Sequence, residues 1–138
     1  MVSARTFVDS NVLVYADDAA AAGKRTRSQE RILELTSERK AVVSTQVLQE
    51  YFVIATRKLK LPAAIARARV ETFAQLDVVL IQPDLILSAI DLHRLHSISF
   101  WDALIVRAAV VGGCTRLLSE DLQAGRSFDG LEIVNPFN

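Results

Sequence analysis

A chain of 138 residues that is 51% hydrophobic and 23% charged can bury a core and is long enough for one domain, residues 1–138, but not two. Its 16 Lys/Arg balance 16 Asp/Glu, and the single cysteine, Cys114, excludes an internal disulfide and any cysteine-based zinc site. The apolar runs are broken by charge, as Arg107 breaks residues 103–111, and residues 1–5 carry no leader pattern. A cytoplasmic protein without a membrane span is expected.

Short apolar runs alternate with helical periodicity, which predicts an α/β fold with a short, mostly parallel central sheet. Thr6-Phe7-Val8 reads as a buried strand that ends on Asp9, and a helix over residues 12–16 follows at once. Ligands of open α/β sheets bind beyond the carboxyl ends of the strands. An ionised carboxylate placed there needs a hydrogen bond, an ion pair or a bound cation. A helix N-cap is the competing role for Asp9, and this stretch alone does not choose.

After a polar loop, residues 24–40 read as an amphipathic helix, with Ile32 and Leu35 inward and Lys24, Arg25, Arg27 and Arg31 on its charged side. A strand over residues 41–43 leads to Ser44 and Thr45, which cap a helix running to about Lys58. Its apolar stripe is Val47, Leu48, Tyr51, Ile54 and Ala55, which leaves Glu50 on the flank with Gln46 and Arg57. Val53 and Ile54 occupy the positions from which a surface helix would supply Glu50 with a cation.

Pro62 opens a helix over residues 62–75, followed by a strand over 78–81 and a helix over Pro83–His96. The most apolar helix spans residues 101–111, with Trp101 expected in the core and Gly112-Gly113 ending it. Ser99-x-x-Asp102 at its start taken alone reads as a capping box. A strand over 115–118 ends on Ser119-Glu120-Asp121, where Asp121 alone reads as a cap of the next turn. Leu131–Val134 follows the turn Asp129-Gly130 as a last edge strand. His93 and His96 share a helix face but lack the further ligands of a zinc site. Residues 1–69 carry 12 Lys/Arg against 7 Asp/Glu, and residues 70–138 carry 4 against 9, which suggests a basic surface beside an acidic one.

Asp9, Glu50, Asp102 and Asp121 thus fall at strand ends and helix starts. Hard cations such as Mg²⁺ take oxygen ligands, and such ions activate water and stabilise the leaving oxygen of a phosphodiester.

Four segments, Phe7-Val8-Asp9-Ser10-Asn11, Ser44-Thr45-Gln46-Val47-Leu48-Gln49-Glu50, Ser99-Phe100-Trp101-Asp102-Ala103-Leu104-Ile105 and Leu117-Leu118-Ser119-Glu120-Asp121-Leu122, resemble in order the acidic motifs of the PIN domain, most closely its VapC-type toxins. The likeness runs from the first strand to Val134-Asn135-Pro136-Phe137. It implies a three-layer α/β/α PIN-like fold with four to five strands, and an endoribonuclease dependent on one or two Mg²⁺ or Mn²⁺ ions. It further implies a toxin that pairs with a VapB-type antitoxin and forms a homodimer. By match to the motifs, Asp9, Glu50, Asp102 and Asp121 are the catalytic and metal-binding acids, Asn11 and Ser119 support them, and Glu120 is an additional acid. Such a crowd of acids is expected to be poorly stable, or to hold protons, without divalent ion.

Lys24, Arg25 and Arg27, with Arg57, Lys58 and Lys60 after Glu50, are candidate contacts to RNA phosphates, or else a solvated helix face. The helix faces at residues 63–70 and 103–111 are candidates for the dimer contact. Other readings are a PIN-type ribonuclease of RNA processing or quality control, and a PIN-like module that binds RNA or protein without cutting. A nucleophilic-aspartate hydrolase is disfavoured because position 11 is Asn, and a receiver domain because residues 115–121 hold no lysine. Nucleotide-binding glycine loops are absent.

Overall fold

A computed structural model describes residues 4–138; residues 1–3, which the leader and one-domain expectations include, lie outside the described residues. In chain order the elements are β1 (Thr6–Val8), α1 (Ser10–Ala16), α2 (Ala22–Ser37), β2 (Ala41–Ser44), α3 (Thr45–Arg57), α4 (Ala63–Phe73), β3 (Asp77–Val79), α5 (Pro83–His96), α6 (Phe100–Val111), β4 (Arg116–Leu118), β5 (Ser127–Phe128) and β6 (Leu131–Val134). They form a six-stranded sheet in the order β3-β2-β1-β4-β6-β5, parallel throughout except for β5.

Strand order reverses at β1. Right-handed crossovers therefore put α1–α4 on one face of the sheet and α5 and α6 on the other. Both faces being covered, the central strands are apolar at successive positions, and Thr6, Phe7, Val8, Ala41, Val42, Val43, Leu117 and Leu118 are all buried. One core joins the two layers, running from Phe7 through Leu13, Val47 and Tyr51 to Ala108 and Ile133. Among the described residues no helix is long and apolar enough to cross a membrane.

The sheet has one strand more than the four to five expected. The extra one is β5, two residues paired antiparallel to β6, and it makes β6 an inner strand instead of the edge. Asp129 (φ 51°) and Gly130 (φ 82°) turn the chain between them, both left-handed as a two-residue hairpin turn requires. A two-residue strand is too short to leave a periodic signal. The third strand also starts earlier, at Asp77, and stops at Val79; the Ile81 N–H donates to Thr45 Oγ1 (3.2 Å) instead of to a neighbouring strand.

Gly112 ends α6 against the sheet. A Cβ there would stand 3.0 Å from Val79 Cγ2, 3.1 Å from Val42 Cγ1 and 3.2 Å from the Ala108 carbonyl. Gly112→Ala is expected to destabilise the protein by about 1–3 kcal/mol through overpacking, read from urea denaturation.

Candidate active site

Phe7 pairs with Val42, and Val8 with Leu118. That register brings Asp9, Ser44 and Ser119 to one level beyond the carboxyl ends of β1, β2 and β4. Strand β1 reaches only to Val8, so Asp9 is the first residue past it, and its N–H still donates to the Leu118 carbonyl (3.0 Å). Asp9 is the N-cap of α1: its Oδ1 accepts from the Ser10 N–H at 2.7 Å. Its Oδ2 accepts from the Ser119 hydroxyl at 2.8 Å. The cap reading is therefore correct for Asp9, and it leaves the carboxylate at the sheet edge.

Asp9 is buried, and burial is the main reason its carboxyl is pushed up from 3.8 to about 6. Hydrogen bonds from Ser119 and Ser10 oppose the rise, while Glu50 and Asp121 add to it.

Three links tie the other acids to this point. The Ser10 hydroxyl donates to Glu50 Oε1 (3.0 Å), joining α1 to α3. Gln46, one turn before Glu50, donates its Nε2 to Glu50 Oε2 (3.2 Å) and to the Trp101 carbonyl (3.4 Å), joining α3 to α6. Asn11 donates to Asp121 Oδ2 (3.1 Å) and accepts from the Glu120 N–H (3.2 Å). Asp102 lies in the first turn of α6, where Ser99 caps its N–H (3.0 Å), so the capping reading holds for its backbone while its carboxylate faces the same cleft. Asp9, Glu50, Asp102 and Asp121 line a cleft of about 400 Å³, together with Ser10, Gln46, Gln49, Val53, Ile54, Trp101 and Ile105.

Ser119 is the hub of the far side. Besides donating to Asp9, its fully buried hydroxyl accepts from the N–H groups of Asp121 (3.2 Å) and Leu122 (3.3 Å). Ser119→Ala strips a donor from a buried acid and acceptors from two amides. It is expected to cost about 1–3 kcal/mol in urea denaturation at neutral pH.

Glu120 turns away from this cleft. It pairs with Lys24, whose ammonium also lies over the Tyr15 and Phe137 rings, 4.8 Å and 5.3 Å from their centroids. Burial opposes its ionisation, but hydrogen bonds from Lys24 and Tyr15 prevail and hold its carboxyl below the ordinary range. Lys24 is thus engaged, and Arg27 donates to the Pro136 carbonyl (2.9 Å), while Arg25 is exposed. Arg57 and Lys58 line a second cleft of about 510 Å³ with Asn11, Tyr15 and Glu120; it shares Val53, Ile54 and Asp121 with the first. The pairs Lys24–Glu120 and Arg5–Asp77 cross between the two halves of the chain, so folding interleaves the uneven charges.

Trp101 departs from the sequence expectation: it is 62% exposed and not in the core. It shares its face with the buried Leu104, Ile105 and Ala108, but it sits in the first turn, where α6 projects past the sheet edge into the cleft. Ser10, Gln46 and Trp101 were missed as site residues. Two signals pointed to them: Ser10 adjoins Asp9, and Gln46 is four residues from Glu50. The histidines have other roles, His93 bonding the Ile98 carbonyl and His96 packing edge-on against Phe128. Helix α6, offered as a dimer face, spends Ala103, Leu104, Ile105, Val106, Ala108 and Ala109 on the core.

The donor chemistry of the cleft fits a hard divalent cation. It presents four carboxylates, and among the described residues none of the four has a salt bridge to Lys or Arg. Among the same residues, no three His, Cys, Asp or Glu side chains are already gathered around one point.

The PIN domain family model matches residues 6–126. Among solved structures, the chain is similar to Mycobacterium tuberculosis VapC20, described as a sarcin–ricin loop cleaving toxin: TM-score 0.68, 21% identity, 84% of this chain and 89% of that one. It is also similar to a chain of a toxin–antitoxin complex from Klebsiella pneumoniae: TM-score 0.69, 17% identity, 95% of this chain and 97% of that one. No curated protein matches the sequence.

Proposed function

Since the chain belongs to the PIN domain family, we propose that it is a metal-dependent endoribonuclease, the toxin of a toxin–antitoxin pair, and that residues 1–138 are one domain. The observation that carries this reading is the cleft at the sheet edge, which Asp9, Glu50, Asp102 and Asp121 all line and where, among the described residues, none of the four has a salt bridge to Lys or Arg. Those four carboxylates would hold one or two Mg²⁺ or Mn²⁺ ions, which supply an activated water and charge neutralisation at the leaving oxygen of a phosphodiester.

The chain's own contribution is orientation. Ser10 and Ser119 fix the two oxygens of Asp9, Gln46 and Ser10 fix those of Glu50, and Asn11 holds Asp121. Carboxylates held this way lose little further side-chain freedom when they bind an ion. Arg57 and Lys58, on the adjoining cleft, would neutralise phosphates of the bound strand. The antitoxin partner rests on the Klebsiella neighbour, solved as a toxin–antitoxin complex. A homodimer and a cytoplasmic location belong to the same reading.

Purified, antitoxin-free protein is incubated with mixed single-stranded and structured RNAs in Mg²⁺ or Mn²⁺, with EDTA as control. Cutting that needs metal and leaves 5′-phosphate ends is expected. Folded, metal-loaded protein that binds RNA but cuts none would turn the assignment to a binding module. Metal-dependent cutting with no inhibitory partner encoded alongside would leave a processing ribonuclease.

A further inference from the structure

The exposed indole at the cleft mouth needs an explanation beyond packing. Trp101 is the chain's only tryptophan and is 62% exposed, in a helix whose later positions Ala103–Val106, Ala108 and Ala109 are buried. Two contacts hold it. Phe100, half-buried against the core, meets its ring edge to face at 5.1 Å, and Gln46 bonds its carbonyl from the opposite helix. Val53, Ile54 and Ile105 give the cleft an apolar wall, while Asp9, Glu50, Asp102 and Asp121 give it an acidic end. Trp101 lines the same cleft as the four acids, so a group lying on the indole is also beside the carboxylates.

We propose that Trp101 is a base-stacking platform that takes one unpaired nucleobase next to the phosphate held at the acids. The inference rests on the ribonuclease reading and adds a substrate requirement to it. Every nucleobase has a flat face that stacks on an aromatic ring, so the contact is tolerant of sequence. A base inside a duplex has both faces covered, so the contact selects loops, bulges and single strands. Specificity for unpaired RNA then comes from one side chain, and the acids need not read the base at all.

Because Trp101 is the only tryptophan, intrinsic fluorescence reports on this ring alone. The Asp9→Asn protein, expected to bind without cutting, is titrated with a labelled single-stranded RNA pool and with a fully paired hairpin stem, following label anisotropy and tryptophan emission together. Single strands are expected to bind and quench emission, and the stem to do neither comparably. Adding Trp101→Ala should weaken single-strand binding roughly 5- to 150-fold, with Trp101→Phe restoring most of it. In the active chain Trp101→Ala should raise KM for single strands far more than it lowers kcat, with circular dichroism unchanged. RNA that binds with emission unquenched and with affinity indifferent to Trp101→Ala overturns the platform and leaves the nuclease reading standing. Absence of both binding and cutting of any RNA by the unmodified chain overturns both.

Discussion

Asp9→Asn is expected to remove at least about 100-fold of the cleavage activity and, in metal-free solution at neutral pH, to make the protein more stable. The carboxyl holds its proton to about 6 in the folded chain, against 3.8 when exposed. Below pH 4 it is protonated in both states and costs nothing. As pH rises from about 4 to about 6, the unfolded chain releases that proton while the folded chain keeps it, so stability falls through this window. Above about 6 the full penalty of burying the anion is present. The gap between 3.8 and about 6 corresponds to about 3 kcal/mol. Asn keeps an oxygen for the Ser10 N–H and carries no charge, so it escapes most of that penalty. Urea denaturation in EDTA at pH 4.5 and pH 7.5 should show the natural chain losing stability between the two, and the Asn variant holding level. Parallel pH profiles for the two proteins would mean that Asp9 is not the buried, proton-holding acid described here. Adding Mg²⁺ at pH 7.5 should stabilise the natural chain and leave the variant unmoved, because an ion that binds only the folded state adds to its stability.

Asp17→Ala is expected to cost about 2–3 kcal/mol, the worth of hydrogen bonds to a charged group. Asp17 follows α1, and its Oδ2 accepts from the Tyr51 hydroxyl at 2.6 Å and from Arg69 Nε at 2.9 Å. Three helices, α1, α3 and α4, meet on that one oxygen. Burial, then Asp17 itself, pushes the Tyr51 phenol well above its usual range. Tyr51 also packs edge to face on Phe73 at 5.1 Å, with the Arg69 guanidinium 4.7 Å from the Phe73 ring. Arg69 is about a third exposed, so its ion pair is discounted for solvent screening and the Tyr51 hydrogen bond carries most of the loss. Tyr51→Phe should reproduce most of it, and the double variant should fall short of the sum of the two, since both remove the same contact. A loss under about 0.5 kcal/mol for Asp17→Ala, the size of an ordinary surface substitution, would mark the network as dispensable. The cluster lies on the helices that carry Ser10 and Glu50, so activity should fall with it.

The sequence disclosed these features unevenly, for physical reasons. Helix α5 was read to the residue, because Pro83 opens it and its basic last turn closes it. The four acids that line the cleft stand out in the sequence because Asp9 and Asp121 follow strands, Asp102 opens a helix, and Glu50 flanks an apolar helix stripe with no local basic partner. Trp101 was misread because periodicity reports which face of a helix a residue is on, not whether the core extends that far along the axis. The links from Ser10 to Glu50 and from Gln46 to Trp101 join residues 40 and 55 positions apart, and no local rule proposes them. The hairpin β5–β6 was half visible: its turn residues were plain, but a two-residue strand carries no period.

The topology also sets when the site can come into being. The Ser119 hydroxyl and the Asp9 carboxylate it steadies are 110 residues apart in the chain. Strand β1 is flanked by β2, made soon after it, and by β4, made near the end. At roughly 5–20 residues per second, a ribosome needs about 6–20 s to travel from one to the other. Until then β1 lacks its second neighbour, Asp9 lacks a donor, and Asp102 and Asp121 have yet to join it. If the chain is the ribonuclease proposed above, its cutting site is therefore kept from assembling while most of the chain is still being translated from RNA.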